Sequence, residues 1–156
     1  MNINDYGMVP HYENLPGIPA RVTAVHKERY EIVCAHGITH AKLKTKEYYV
    51  DVQDFPTTGD FVMVNYIENG DSQILATLPR KTFLSRRDPT PGRGEQAVAA
   101  NFDYVFIMQS LNQDFNPKRL ERYLTLAWQS GATPVILLTK ADLVEDYWDY
   151  LTQVER

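Results

Sequence analysis

Residues 133–143 read TPVILLTKADL, an apolar run that breaks abruptly into a polar turn. The segment PVILL (134–138) has no charged position, as expected of a strand buried on both faces of a sheet. Upstream, DYVFIMQS at 103–110 is a second, mostly apolar run of the same kind. Between the two, Pro117 is a natural first helical residue, and Leu120, Tyr123, Leu124, Ala127 and Trp128 recur at helical spacing until Gly131 stops the helix. Strand, helix and strand of this length predict one parallel, right-handed crossover. A last helical segment is expected from Val144 to Arg156.

Thr139-Lys140-Ala141-Asp142 follows PVILL directly, and ligands of open parallel sheets sit at the carboxyl ends of strands. A Lys-x-Asp triplet is common by chance, so its placement carries the argument. A fixed carboxylate accepts from both the ring N–H and the exocyclic amino group of guanine, whereas adenine presents a ring acceptor there. The Lys140 stem can lie along the flat base while its ammonium orders neighbouring loops. The plain alternative is a solvated turn, with Asp142 capping a helix that starts near Leu143.

Ahead of this unit, residues 18–79 alternate short β-type runs with turns: ARVTAVH (20–26), RYEIVC (29–34), ITHAKLK (38–44), DFVMVNYI (60–67) and SQILATL (72–78). Five such strands predict a small closed barrel, which removes strand edges. In the fourth run, Phe61, Met63 and Asn65 fall on one face and Val62, Val64 and Tyr66 on the other. Asn69-Gly70-Asp71 is the strongest hairpin signal, because Asn-Gly tolerates the positive φ of a tight turn. Residues 1–17, with Gly7, Pro10, Asn14, Pro16 and Gly17, read as a loose leader, and 80–100, with Pro89, Pro91, Gly92 and Gly94, as a mobile connection.

The 156 residues carry a formal charge of −4, which argues against a general nucleic-acid binder. The charges are nevertheless segregated. Lys27, Arg29, Lys42, Lys44 and Lys46 make one basic stretch, and Arg80, Lys81, Arg86 and Arg87 make another with Asp88 as its only acid. From 49 to 79 there are five acids and no Lys or Arg. The single cysteine, Cys34, allows no internal disulfide and reads as core filler, and the four histidines have no metal-ligand spacing, so no metal site is expected. No run is long and apolar enough for a membrane helix, and the first residues lack a basic start with an apolar core, which predicts a cytoplasmic chain without a membrane partner.

Gln96-Ala-Val-Ala-Ala-Asn-Phe-Asp103, Leu120-Glu-Arg-Tyr-Leu124 and PVILLTKADL resemble the start of a circularly permuted GTPase domain of the ribosome small-subunit-dependent family called RsgA, YjeQ or EngC. Pro56-Thr-Thr-Gly-Asp-Phe-Val62 and the basic run Arg80 to Arg87 are similar to the same family's barrel and connection. The resemblance implies an all-β OB-fold barrel at 18–79 that contacts rRNA, a basic linker at 80–100, and the beginning of an α/β P-loop GTPase domain at 101–156. It further implies GTP and Mg2+ as ligands of the whole protein, a zinc-binding C-terminal domain beyond these residues, and the 30S subunit with its 16S rRNA as partner. Thr139, Lys140, Ala141 and Asp142 fall on the family's guanine motif, where Asn commonly stands in place of Thr139. Thr lacks the amide's paired donor and acceptor.

No glycine here is followed by lysine, so GxxxxGK[ST] is absent from these residues. In a permuted order the phosphate loop, magnesium and switch segments follow the guanine motif, so the chain is expected to be an amino-terminal fragment, monomeric, without catalytic residues and with no cofactor bound. Phosphate contacts are expected from Lys27, Arg29, Lys42, Lys44, Lys46, Arg80, Lys81, Arg86 and Arg87, and base stacking from Tyr48, Tyr49 and Phe55. Two rival readings are a stand-alone RNA-binding barrel with a nucleotide-free Rossmann-like scaffold, and a protein-interaction domain whose basic stretches meet an acidic partner.

Overall fold

The computed structural model describes residues 2–7, 14–44, 55–87, 91, 95–111, 115–143 and 148–155, and everything below concerns these. The chain divides into two compact units, Met1–Asn101 and Phe102–Arg156.

The first unit is built on a closed barrel of β1 (Ile18–His26), β2 (Arg29–Cys34), β3 (Gly37–Leu43), β4 (Phe61–Asn65) and β5 (Ser72–Thr77). Strand order is β1-β2-β3-β5-β4, with β3 and β5 parallel and β4 returning to pair with β1, the OB-type closure expected from the sequence. Alternation sorts the side chains. Val62 and Val64 enter a barrel core with Ala20, Val22, Tyr30, Ile32, Cys34, Ala41 and Ile74, while Phe61 and Met63 pack with Leu78 on the other side. Both faces of β4 are therefore buried, and the division of its residues between them follows the sequence pattern.

One expectation about turns is corrected. The β4–β5 hairpin exists, yet its loop spans residues 66–71 and neither Asn69 nor Gly70 takes a positive φ. Ser72 Oγ accepts from Ile67 N at 3.0 Å instead, so a side chain closes the loop. The tight two-residue hairpins are Lys27-Glu28, between the paired His26 and Arg29 with Lys27 at φ 58°, and Ala35-His36, between the paired Cys34 and Gly37.

The stretch read as a mobile connection is also corrected. It contains β6 (Phe83–Arg87) and β7 (Glu95–Ala100), paired antiparallel. Its base is fixed to the barrel because Ala100 N donates to Thr58 O at 2.9 Å and Arg80 clasps Asp60. Nor is the leader wholly loose: Ile3–Tyr6 form a 3-10 turn capped by Asn2, and Tyr6 O accepts from Arg21 Nη1.

In the second unit β8 (Tyr104–Ser110) and β9 (Thr133–Thr139) pair in parallel, joined by α1 (Pro117–Gln129); α2 (Trp148–Glu155) follows. Asn116 Oδ1 accepts from Arg119 N at the start of α1, and Gly131 adopts φ 90° beyond its end. Leu120 and Ala127 bury against Ile107, with Val105, Leu124, Ile136 and Val154 around them. Within these residues only one face of the β8–β9 pair is covered. Tyr104, Phe106 and Met108 are 63%, 65% and 68% exposed, because α1 covers one face and no described element of this unit covers the other. Trp128 likewise lies off the buried stripe of α1 and is exposed. Among the described residues no helix is long and apolar enough to cross a membrane.

Candidate functional site

The polar turn after β9 is placed by the sheet. Parallel pairing runs in register from Tyr104↔Thr133 to Ser110↔Thr139, and Thr139 O accepts from Leu111 N at 2.8 Å. The carbonyl of Thr139 is thus spent on holding the strand ends together. Lys140 then leaves the sheet at φ 58°, a left-handed conformation unfavourable for a residue with a Cβ, and Ala141–Leu143 form a single 3-10 turn. The effect is a sharp reversal that leaves Lys140, Ala141 and Asp142 exposed beyond the carboxyl end of β9. No described residue ties up the Asp142 carboxylate. Its competing role as cap of a helix starting near Leu143 falls on Val144–Tyr147, which lie outside the described residues. Strained backbone at a strand terminus, with free polar groups, is where α/β proteins place ligand contacts.

The other candidate surface lies on the barrel. Arg29 of β2 stands opposite Lys42 of β3, a like-charged pair held by Asp71. Asp71 Oδ1 accepts from Arg29 Nη2 at 3.0 Å, and Lys42 Nζ lies 3.5 Å from its Oδ2. The hydrogen bond from Arg29, helped by the positive charges of Arg29 and Lys42, holds the Asp71 carboxyl below its ordinary pKa of 3.8. Lys27 and Lys44 are exposed. Lys27, Glu28 and Lys42 rim a groove of about 320 Å³ floored by Tyr30, Leu43 and Phe55. Of the residues proposed for stacking, Phe55 therefore lines this groove, while Tyr48 and Tyr49 lie outside the described residues, as does Lys46.

Arg80 is placed differently from the rest of its cluster. Its Nε donates to Asp60 Oδ1 at 2.8 Å, its Nη2 to Asp60 Oδ2 at 2.9 Å and to Phe55 O at 3.0 Å, with the Phe83 ring beneath it at 4.4 Å. The Asp60 carboxylate is fully buried and also accepts from Thr57 N. This guanidinium is committed to holding the barrel, which corrects its reading as a surface phosphate contact. Lys81 and Arg86 remain exposed; Arg87 belongs to β6, but its side chain is outside the described residues. Sequence reasoning missed the groove residues Glu28, Tyr30 and Leu43, for which the two-residue spacing between β1 and β2 was the available signal. Among the described residues no group of three or more His, Cys, Asp or Glu could hold a metal ion.

Comparison with known proteins adds the family context. Residues 77–155 match the family model described as RsgA GTPase. The chain is 51% identical over 136 residues to Small ribosomal subunit biogenesis GTPase RsgA 1 of Listeria monocytogenes, covering 86% of this chain and 38% of that protein. It is 39% identical over 130 residues to Small ribosomal subunit biogenesis GTPase RsgA of Methanosarcina acetivorans, covering 83% of this chain and 35% of the relative. The chain thus spans well under half the length of these curated relatives. Among solved structures, YloQ, titled a circularly permuted GTPase, superposes with a TM-score of 0.60 at 18% identity, over 92% of this chain and 48% of YloQ. YjeQ from Thermotoga maritima gives a TM-score of 0.64 at 23% identity, over 88% of this chain and 46% of YjeQ.

Proposed function

The chain belongs to the RsgA GTPase family, and from that premise we infer that it is the amino-terminal part of a GTPase acting in late maturation of the small ribosomal subunit. The barrel presents Lys27, Arg29, Lys42 and Lys44, with Lys81 and Arg86 of the neighbouring segment, to 16S rRNA in the 30S particle. Thr139, Lys140, Ala141 and Asp142 read guanine. The reaction of the whole protein is hydrolysis of GTP to GDP and phosphate.

The observation that carries the reading is Asp142, exposed and without a partner among the described residues, just beyond the carboxyl end of a parallel strand. Two carboxylate oxygens there match the two adjacent donors of guanine, and the Lys140 stem supplies an apolar surface for the ring. Thr139 contributes strand alignment through its carbonyl and offers no amide to the base's other edge. In the whole protein a magnesium ion would supply positive charge that neutralises the charge developing on the phosphates. The described residues offer contacts to the base, and the groups that would hold the ion belong with the phosphate-binding segments, which this sequence does not contain. These residues therefore select the nucleotide, and the chemistry falls to a phosphate loop that this sequence does not contain.

The test is a titration of the chain with GDP, ADP and XDP, repeated on Asp142→Asn. The unaltered chain is expected to favour GDP over ADP by at least tenfold. A carboxamide accepts from the ring N–H and donates to the 2-oxo group of xanthine, so Asp142→Asn should invert the preference toward XDP. Equal affinity for GDP and ADP sinks the guanine reading, and RNA binding without any nucleotide preference would favour the stand-alone RNA module.

A further inference from the structure

Asn101, the last residue of the first unit, is held in the left-handed region at φ 56° although it is not glycine. All four of its polar groups are used. Its N–H donates to Thr82 O at 2.9 Å and its Nδ2 to Gly59 O at 3.0 Å. Its Oδ1 accepts from Lys81 N at 2.8 Å and its backbone carbonyl from Arg21 Nη2 at 2.8 Å. One residue thus ties the exit of β7 to the entrance of β6 and to the turn before β4 through its side chain, and to β1 through the bond from Arg21 to its backbone carbonyl.

The partners are themselves committed. Arg21 Nε donates to Gly59 O at 3.1 Å, and its guanidinium lies over the Phe61 ring at 4.8 Å. Gly59, at φ 95°, lies so close to β7 that an added Cβ would fall on the carbonyl oxygen of Ala100. Beside it, the buried Asp60–Arg80 pair fixes the start of the same segment. A connection that only had to span two bodies would need none of this.

We propose that Asn101, Gly59 and Arg21 form an anchor that makes the β6–β7 hairpin one rigid body with the barrel, so that the hairpin's basic residues are presented on the same rigid support as those of β2 and β3. Asn101 is a positioning residue in this device. The inference goes beyond the proposed function and holds whether or not Asp142 reads guanine.

Amide hydrogen exchange and 15N relaxation of the 156-residue chain test it, with Asn101→Gly as the first variant. Glycine keeps the left-handed backbone and removes only the side-chain bonds. In the unaltered chain the hairpin amides should share the barrel's rotational correlation time. In Asn101→Gly, amides of 82–84 and 98–101 should exchange at least tenfold faster and the hairpin should relax independently, with barrel protection at Ile32 and Val62 unchanged. A uniform loss of protection through the barrel would mean a merely stabilising residue and would overturn the proposal, as would no change at the hairpin. Gly59→Ala should give the larger release; should it unfold the unit, the Asn101→Gly result alone decides. Guanine titration is unaffected in either case, so failure here and failure of the nucleotide assignment are separable.

Discussion

The two units satisfy their apolar surface in opposite ways. The barrel closes on itself: β1 pairs with both β2 and β4, and Ile32, Val62 and Val64 are fully buried by residues of the same unit. The β8–β9 pair has one face packed by α1 and presents Tyr104, Phe106 and Met108 on the other. A parallel pair needs cover on both faces to match the burial that a barrel reaches alone. The first unit should therefore be the more stable, and both tryptophans, Trp128 and Trp148, sit in the second. Tryptophan fluorescence reports one unit and hydrogen exchange of β2 the other.

That separation makes the largest expected effect readable. Asp60→Ala strips the partner from the Arg80 guanidinium and removes the acceptor of Thr57 N. Loss of one member of a buried pair costs about 3–5 kcal/mol. The cost should fall on exchange protection in the barrel while the fluorescence transition in urea stays in place; a coincident shift of both would show that the units unfold together. Leu120→Ala probes the other side. Leu120 is 3% exposed between α1 and the sheet, and truncation there costs about 2–4 kcal/mol. Here the fluorescence midpoint should fall while β2 protection holds.

How much of this contrast was legible follows from what each element rests on. The barrel strands were readable because alternation in DFVMVNYI is enforced by two separate clusters, Val62 and Val64 in one, Phe61 and Met63 in the other. α1 was readable from Pro117 and the Leu120–Ala127 spacing. The β6–β7 hairpin was not. Its strands, FLSRR and EQAVAA, are polar or small, flank four Pro and Gly residues, and gain their place from Asn101 and Arg80, contacts 20 to 42 residues away in sequence. The exposed face of β8 was invisible for the opposite reason: an apolar run states what a strand requires, not what is present to cover it. At the candidate site, sequence located the Thr139–Asp142 turn, but only the backbone shows that Lys140 is forced to φ 58° to expose it.

The same strain recurs at Lys27, φ 58°, on the tip of the β1–β2 hairpin. A Cβ in this region costs about 1 kcal/mol. Lys27→Gly should accordingly raise the barrel's unfolding free energy by about 0.5–1 kcal/mol in a denaturant titration followed by β2 exchange, while weakening association with single-stranded RNA and lowering its salt dependence by about one ion. Stabilisation with undiminished RNA affinity would remove Lys27 from the contact surface.

The smallest effect concerns Asp71, which separates Arg29 from Lys42. Its carboxyl is held below 3.8, first by the Arg29 hydrogen bond. A depressed folded-state pKa means that the unfolded chain binds the proton more readily. The contribution to stability is therefore complete above the unfolded value near 3.8 and fades as pH falls through the lower folded value. Asp71→Asn should flatten the acid limb of the barrel's stability profile below about pH 4 and leave its slope between pH 6 and 8 unaltered. Because the pair is solvent-accessible, added salt should shrink the difference between the two proteins. The same substitution frees two cations facing each other across β2 and β3, so RNA affinity at neutral pH should rise while stability at that pH falls. Opposite signs in the two measurements identify Asp71 as the residue that moderates the charge of this edge.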